Sequence, residues 1–128
     1  MKKVNTNNFK KTLSKFSTGI TVVCVKNNNS IYGKTVNSFN SLSLNPPMVL
    51  FSLGNYSSSI KKFSKTKFLS INILSSKQKK LSDNFALTEP NLENIKFIEG
   101  KNKTAIIPNC IANLECKLID KIKKGDHI

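Results

Sequence analysis

Short apolar runs rich in β-branched residues, separated by turn signals and never alternating regularly with helices, constrain the fold of this chain most. Residues 20–25 read Ile-Thr-Val-Val-Cys-Val, and side chains branched at Cβ favour the extended backbone of a strand. Asn27-Asn28-Asn29-Ser30 is a turn, and Ile31-Tyr32 begin a return strand, which makes an early hairpin. Residues 48–53 are nearly continuous in apolar side chains, as expected for a strand buried on both faces. The preceding Pro46-Pro47 pair holds that segment extended or turned. Residues 68–74 put Leu69, Ile71 and Ile73 on one face and Ser70 and Asn72 on the other. In residues 111–119, Ala112, Leu114, Cys116 and Leu118 oppose Asn113, Glu115 and Lys117.

Three segments have helical spacing instead. Phe9, Leu13 and Phe16 recur at i, i+4 and i+7, with Thr6 or Asn7 as N-cap and Gly19 as terminator, so this helix is expected to lie against something apolar. Residues 57–65 carry Ile60 and Phe63, and residues 76–86 carry Leu81 and Phe85. The expected architecture is mainly β with short peripheral helices, a closed or nearly closed antiparallel barrel rather than a Rossmann sheet. With 128 residues the chain is read as one domain, 1–128, around one core. Gly125-Asp126-His127-Ile128 opens a turn toward a further strand, and a barrel left one strand short exposes an unpaired edge. The chain is therefore expected to be a fragment lacking its C-terminal strand or strands.

No apolar run approaches the roughly 20 residues needed to span a bilayer. The basic start is followed by Asn5, Thr6, Asn7 and Asn8 rather than by the apolar stretch of a signal peptide. These features exclude a membrane partner and point to the cytoplasm. The net charge of +14 raises the possibility of a nucleic-acid partner. Every basic residue is lysine, however, and the lysines run from end to end. Arginine, the usual bidentate reader of phosphate and guanine, is absent, and so is an aromatic stacking platform. The charge reads as a solvated basic surface that attracts anionic ligands. Three cysteines and one histidine, with no CxxC pair, supply neither a disulfide framework nor a metal site. Cys24 and Cys116 fall in apolar runs and read as reduced structural thiols.

Two polar constellations are candidates for binding. Residues 33–43 interleave hydroxyl and amide side chains with Val36, Phe39 and Leu42. A flat ring with apolar faces and a hydrogen-bonding edge, such as an isoalloxazine, suits a segment of this kind. By pattern alone, a strand followed by a Ser/Asn-rich loop accounts for it equally well. Ser57-Ser58-Ser59 precede Ile60-Lys61-Lys62-Phe63 and offer hydroxyls at a helix start, where an anion is favoured. A simple helix cap explains the same serines. No P-loop or GxGxxG occurs, and the lone His127 has no assignable acid–base partner.

The motifs together resemble one family. Phe16-Ser17-Thr18-Gly19-Ile20-Thr21-Val22-Val23 resembles the F-x-T-G-V-T-V-V opening of the flavin reductases, small FMN-binding split-barrel enzymes. Residues 33–53 are similar to that family's central motif nearly throughout. Residues 68–74 resemble its F-x-V-N-V-L strand, residues 78–86 its Q-x-x-L-S-x-x-F-A helix, and Leu114-Glu115-Cys116 and Gly125-Asp126-His127 its late elements. The resemblance covers essentially the whole chain. It implies an antiparallel, Greek-key split β-barrel that forms a homodimer with flavin near the subunit interface. It implies reduction of FMN or FAD by NADH or NADPH, with no catalytic side chain required, and in many members delivery of reduced flavin to a separate monooxygenase.

Carried over position by position, Thr35, Val36, Asn37, Ser38, Ser41 and Leu42 would line the isoalloxazine and ribityl chain. Ser57, Ser58 and Ser59 would approach the phosphate, with Asn72 and Phe85 close to the pocket and Gly19 and His127 bordering the nicotinamide. Lys34 stands where the family commonly has methionine, and the family continues beyond its G-D-H element. A flavin-binding protein without reductase activity is the alternative on the same barrel. A basic nucleic-acid-binding barrel is disfavoured by the missing arginines.

Overall fold

The architecture was obtained as a computed structural model and is described for residues 2–128. Strands β1 (Thr21–Asn27) and β2 (Ser30–Val36) form the expected hairpin, with Cys24 opposite Gly33. Asn28 closes the turn with a left-handed φ of 54°, a conformation asparagine tolerates better than most residues. Strand β5 (Phe68–Ile73) pairs with the other side of β1, and β8 (Ala112–Lys117) pairs with β5. The result is an antiparallel four-stranded sheet in the order β2-β1-β5-β8.

Apolar side chains cover both faces of that sheet. Val23, Val25, Leu69 and Ile71 join Leu53 and Phe63 on one side. Val22 and Cys24 join Leu74, Phe85, Ala105 and Ile107 on the other. The two-residue period of β1 thus feeds two cores, which is why Ser70 and Asn72, read as the polar face of their strand, are themselves fully buried. Cys24 is buried, Cys110 and Cys116 are half-buried, and all three are free thiols. Burial pushes the Cys24 thiol up to about 12, with Cys110 adding to the rise, so it is a protonated packing group at neutral pH.

Several elements differ from the sequence reading. Strands β3 (Asn40–Leu44) and β4 (Pro47–Leu50) form a separate two-stranded hairpin. Residues 33–43 are therefore mostly strand rather than loop. The run at 48–53 is not buried on both faces. Only one side of this ribbon packs on the core, through Val49 with neighbouring Phe39 and Phe51, so Leu42, Leu44 and Leu50 stay exposed. Strands β6 (Ile98–Glu99) and β7 (Ala105–Ile106) form a small hairpin that no sequence periodicity announced.

Helix α1 (Thr6–Leu13) is capped by Asn5, whose side chain accepts from the Asn8 amide, instead of by Thr6 or Asn7. It ends well before Gly19, because Ser14 takes the C-cap and donates its hydroxyl to the Lys11 carbonyl. Its apolar face is left open to solvent: Phe9, Leu13 and Phe16 are all exposed. Helix α2 (Ile60–Ser64) is short, and its cap residue Ser59 makes no side-chain cap bond. A 3-10 turn (Ser76–Gln78) leads into α3 (Lys79–Ala86), whose Phe85 is fully buried. Among the described residues no helix is long and apolar enough to cross a membrane. None of their His, Cys, Asp and Glu side chains cluster as metal ligands.

Candidate functional site

The site forms beside β2 because that strand lies at the edge of the sheet and three distant segments meet there. Gly33 lets α3 approach: a Cβ at this position would stand 2.4 Å from the Phe85 ring. Thr35 then donates its hydroxyl to the Ser82 carbonyl of α3 at 2.7 Å. The Lys34 ammonium reaches the carbonyls of Ala86 and Leu87 at 3.1 and 3.0 Å. Ser38 clamps the second segment, accepting from the Ser52 amide at 2.9 Å and donating to the Ser52 carbonyl at 3.1 Å.

The third segment is the G-D-H element. Leu53 and Ile128 exchange backbone hydrogen bonds of 2.8 and 2.9 Å, and the Asn55 amide donates to Asp126 at 2.8 Å. His127 is thereby placed opposite Gly54. Its Nδ1 lies 2.7 Å from Asp126 Oδ1. That hydrogen bond, helped by the nearby imidazole charge, lowers the Asp126 carboxyl below its ordinary value.

These segments line a half-open cavity of about 380 Å³, within the range of ~300–1,000 Å³ usual for small-molecule sites. Thr35, Val36, Asn37 and Ser38 form one wall, Ser57 and Ser58 another, and His127 a third. Ser59 lies instead in an adjoining cavity of about 270 Å³ that also holds Lys62. Ser58 and Thr88 line both cavities. Lys62 Nζ sits 4.7 Å from the centroid of the Tyr32 ring, a cation–π contact at the rim of the smaller cavity.

Other candidate residues lie elsewhere. Ser41 and Leu42 are exposed on the β3–β4 hairpin, because the strand that carries them turns away from β2. Asn72 and Phe85 are fully buried and line neither cavity. Gly19 lies in the exposed stretch before β1. Lys34 and Leu53 also line the larger cavity, and sequence reasoning overlooked Ser52, Gly54, Tyr56 and Thr88 there.

The family description of a flavin reductase like domain matches residues 13–128. This chain belongs to the flavin reductase family. It is 34% identical over 123 residues to an FMN reductase (NADH), SmoA, of Agrobacterium fabrum, covering 96% of this chain and 71% of that protein. It is 32% identical over 120 residues to HsaB, the reductase subunit of a flavin-dependent monooxygenase of Mycobacterium tuberculosis, covering 93% of this chain and 64% of that one. Its fold superposes with a TM-score of 0.89 at 26% identity on the Streptomyces globisporus NADH:FAD oxidoreductase SgcE6 in complex with NAD and FAD fragments, over 99% of this chain and 79% of that one. The mainly β split-barrel fold of the flavin reductases is therefore the fold of this chain.

The donor set fits the ligand class of this family. An isoalloxazine needs apolar faces and donors along its pyrimidine edge. Val36, Leu53 and Tyr56 would supply the first, and the outer edge of β2 with the Asn37 amide the second. An anionic phosphate would meet the hydroxyls of Ser57 and Ser58 in a strongly basic protein.

Proposed function

We propose that this chain is an NAD(P)H-dependent flavin reductase that binds FMN or FAD in the 380 Å³ cavity. The observation that carries the reading is convergence: segments around residues 35, 57 and 127, far apart in sequence, wall one cavity of suitable size and polarity. The likeness to NADH-dependent reductases supports the same conclusion. When bound, flavin would accept the hydride of reduced nicotinamide, which carries two electrons and one proton, and a second proton from solvent would complete the reduced flavin.

The protein's work is to bind, orient and exclude competing reactions. Thr35, Val36, Asn37 and Ser38 hold the ring along the edge of β2, and Ser57 and Ser58 hold the phosphate. Helix α2 has five residues, so the phosphate rests on hydroxyls and lysines rather than on a helix dipole. Ser59 and Lys62 serve the adjoining cavity, where the remainder of a larger flavin or a nicotinamide phosphate lies. His127 borders the nicotinamide side. Asn72 and Phe85 act on the scaffold behind β2. Ser41 and Leu42 belong to an exposed hairpin that, with α1, we assign to a homodimer contact next to the flavin. Similarity to HsaB and to a trigonelline monooxygenase reductase component supports a flavin-dependent monooxygenase as recipient of reduced flavin.

The test is anaerobic mixing of the protein and FMN with NADH, then NADPH, while the visible flavin absorption is followed. Rapid bleaching is expected, and the faster reductant identifies the preferred nicotinamide. Tight FMN binding without bleaching would replace the reductase with a flavin carrier. Absence of any flavin binding would sink both.

A further inference from the structure

We infer that Lys34 is a positioning residue: its ammonium fastens the segment after α3 to the edge strand and so fixes the Thr88 side of the cavity. That its effect is felt by flavin rests on the function proposed above. The fastening itself rests on geometry.

The last carbonyls of a helix have no partner within it and carry the negative end of its dipole. Helix α3 has no basic residue in its own last turn, and its cap residue Leu87 leaves in an extended conformation. Lys34, from the neighbouring strand, fills that role by donating to the Ala86 and Leu87 carbonyls together. Among the described residues no other side chain donates to either carbonyl. The chain then continues through Leu87, Thr88 and Glu89, all exposed, so apolar burial does little to hold this segment. Its far end is tied by Asn84, whose amide donates to the Asn91 carbonyl at 2.7 Å and accepts from the Asn91 N–H at 3.0 Å. Thr88, which lines both cavities, is thus suspended between two fasteners, one of them Lys34.

The helix does not depend on this contact for its place. Phe85 packs on Gly33, and Thr35 bonds Ser82, so losing the ammonium frees the segment while α3 remains docked. This separates positioning from stability. Methionine matches lysine in length but lacks the donor, and arginine keeps the charge.

The experiment compares Lys34→Met and Lys34→Arg with the unsubstituted full chain by three readouts. These are amide exchange at residues 86–90, the melting temperature without flavin, and the FMN dissociation constant from fluorescence quenching. In Lys34→Met we expect faster exchange confined to residues 86–90, a nearly unchanged melting temperature, and FMN binding weakened about tenfold, the scale of one partly exposed charge-assisted contact. Lys34→Arg should recover most of both losses. Unchanged exchange in Lys34→Met overturns the proposal whatever the affinity does, because Lys34 itself lines the larger cavity and a fall in affinity alone would report a direct contact with flavin. A broad rise in exchange with a fallen melting temperature also overturns it, since Lys34 is then only a stabilising residue. Failure of the unsubstituted chain to bind FMN defeats the flavin reading alone, because the exchange data still decide whether Lys34 fastens the segment.

Discussion

Asn72 is fully buried, and both of its amide atoms are engaged. Its Nδ2 donates to the Val22 carbonyl and to Ser70 Oγ at 2.9 and 3.1 Å. Its Oδ1 accepts from the Ile107 amide and from Asn113 Nδ2 at 2.9 and 2.8 Å. One side chain thereby ties β1 and β8 to the segment after β7. Deleting it strands buried donors and acceptors at ~1–3 kcal/mol each, so Asn72→Ala should lose about 2–4 kcal/mol in denaturant unfolding without flavin. A loss below half a kcal/mol would mean that water replaces the amide. Glu115 plays a similar part nearer the surface, accepting from the Lys101 and Asn102 amides and from the Thr104 hydroxyl at the β6–β7 turn. The Thr104 hydrogen bond first, then the Asn102 amide, holds its carboxyl below the ordinary 4.5. A carboxyl depressed in the folded state stabilises above its unfolded value, and that contribution disappears as pH falls through the folded one. Amide protection in β6–β7, taken relative to the intrinsic exchange rate at each pH, should therefore fall on acidification from pH 5 in the unsubstituted protein, whereas in Glu115→Gln it should be low already at neutral pH and change little below it.

Elements depend on contacts that residues alone do not announce, and Gly33 is the sharpest case. Glycine is depleted inside strands, yet Gly33 sits inside β2, where the Phe85 ring occupies the space of a Cβ. Overpacking of a filled core costs about 1–3 kcal/mol, so Gly33→Ala should lower the melting temperature, and adding Phe85→Leu should return part of the loss. Additive losses in the double variant would show that the two positions do not meet. The same distinction explains which elements could be read in advance. Strands β1, β5 and β8 carry either β-branched runs or strict alternation, which follow from burial on a pleated surface, and β2 is announced by the polar turn at residues 27–30. The short β6–β7 pair has two residues per strand, too few for any period to register. The β3–β4 ribbon was misjudged because Met48, Val49 and Leu50 are continuous in hydrophobicity for two different reasons, core contact at Val49 and exposure at Leu50. In the site, the polar runs at 35–38 and 57–58 were visible as composition. Thr88 and Tyr56 enter the cavity only through tertiary placement, and Asn72 and Phe85 are carried over from the motifs at residues 68–74 and 78–86, none of whose residues lines either cavity.

At the scale of the whole molecule, two features pull against each other: a net charge of +14 and a broad set of uncovered apolar side chains. Residues 2–20 are all exposed, and Phe9, Leu13 and Phe16 on or just after α1, with Leu42, Leu44 and Leu50 on the β3–β4 hairpin, are among the large hydrophobics facing outward. A helix with a regular apolar stripe gains its stability from packing rather than from propensity. The eight residues of α1 fall short of the ~12–15 at which an isolated helix becomes even marginal. A second copy of this chain supplies the missing surface in the homodimer proposed above. Two copies of the same strongly basic chain repel, however, and salt screens that repulsion over ~10 Å at 0.1 M. An apolar contact opposed by net charge should therefore tighten as ionic strength rises, the reverse of an interface held by ion pairs. Sedimentation equilibrium at 50 mM and 500 mM salt should show the dimer favoured at the higher concentration. Phe9→Ser combined with Leu13→Ser should give monomers at both, with little change in the unfolding of the monomer, because neither side chain is buried within one chain. A dimer that dissociates as salt is added, or that survives both serines, would place the contact elsewhere and make α1 a bystander.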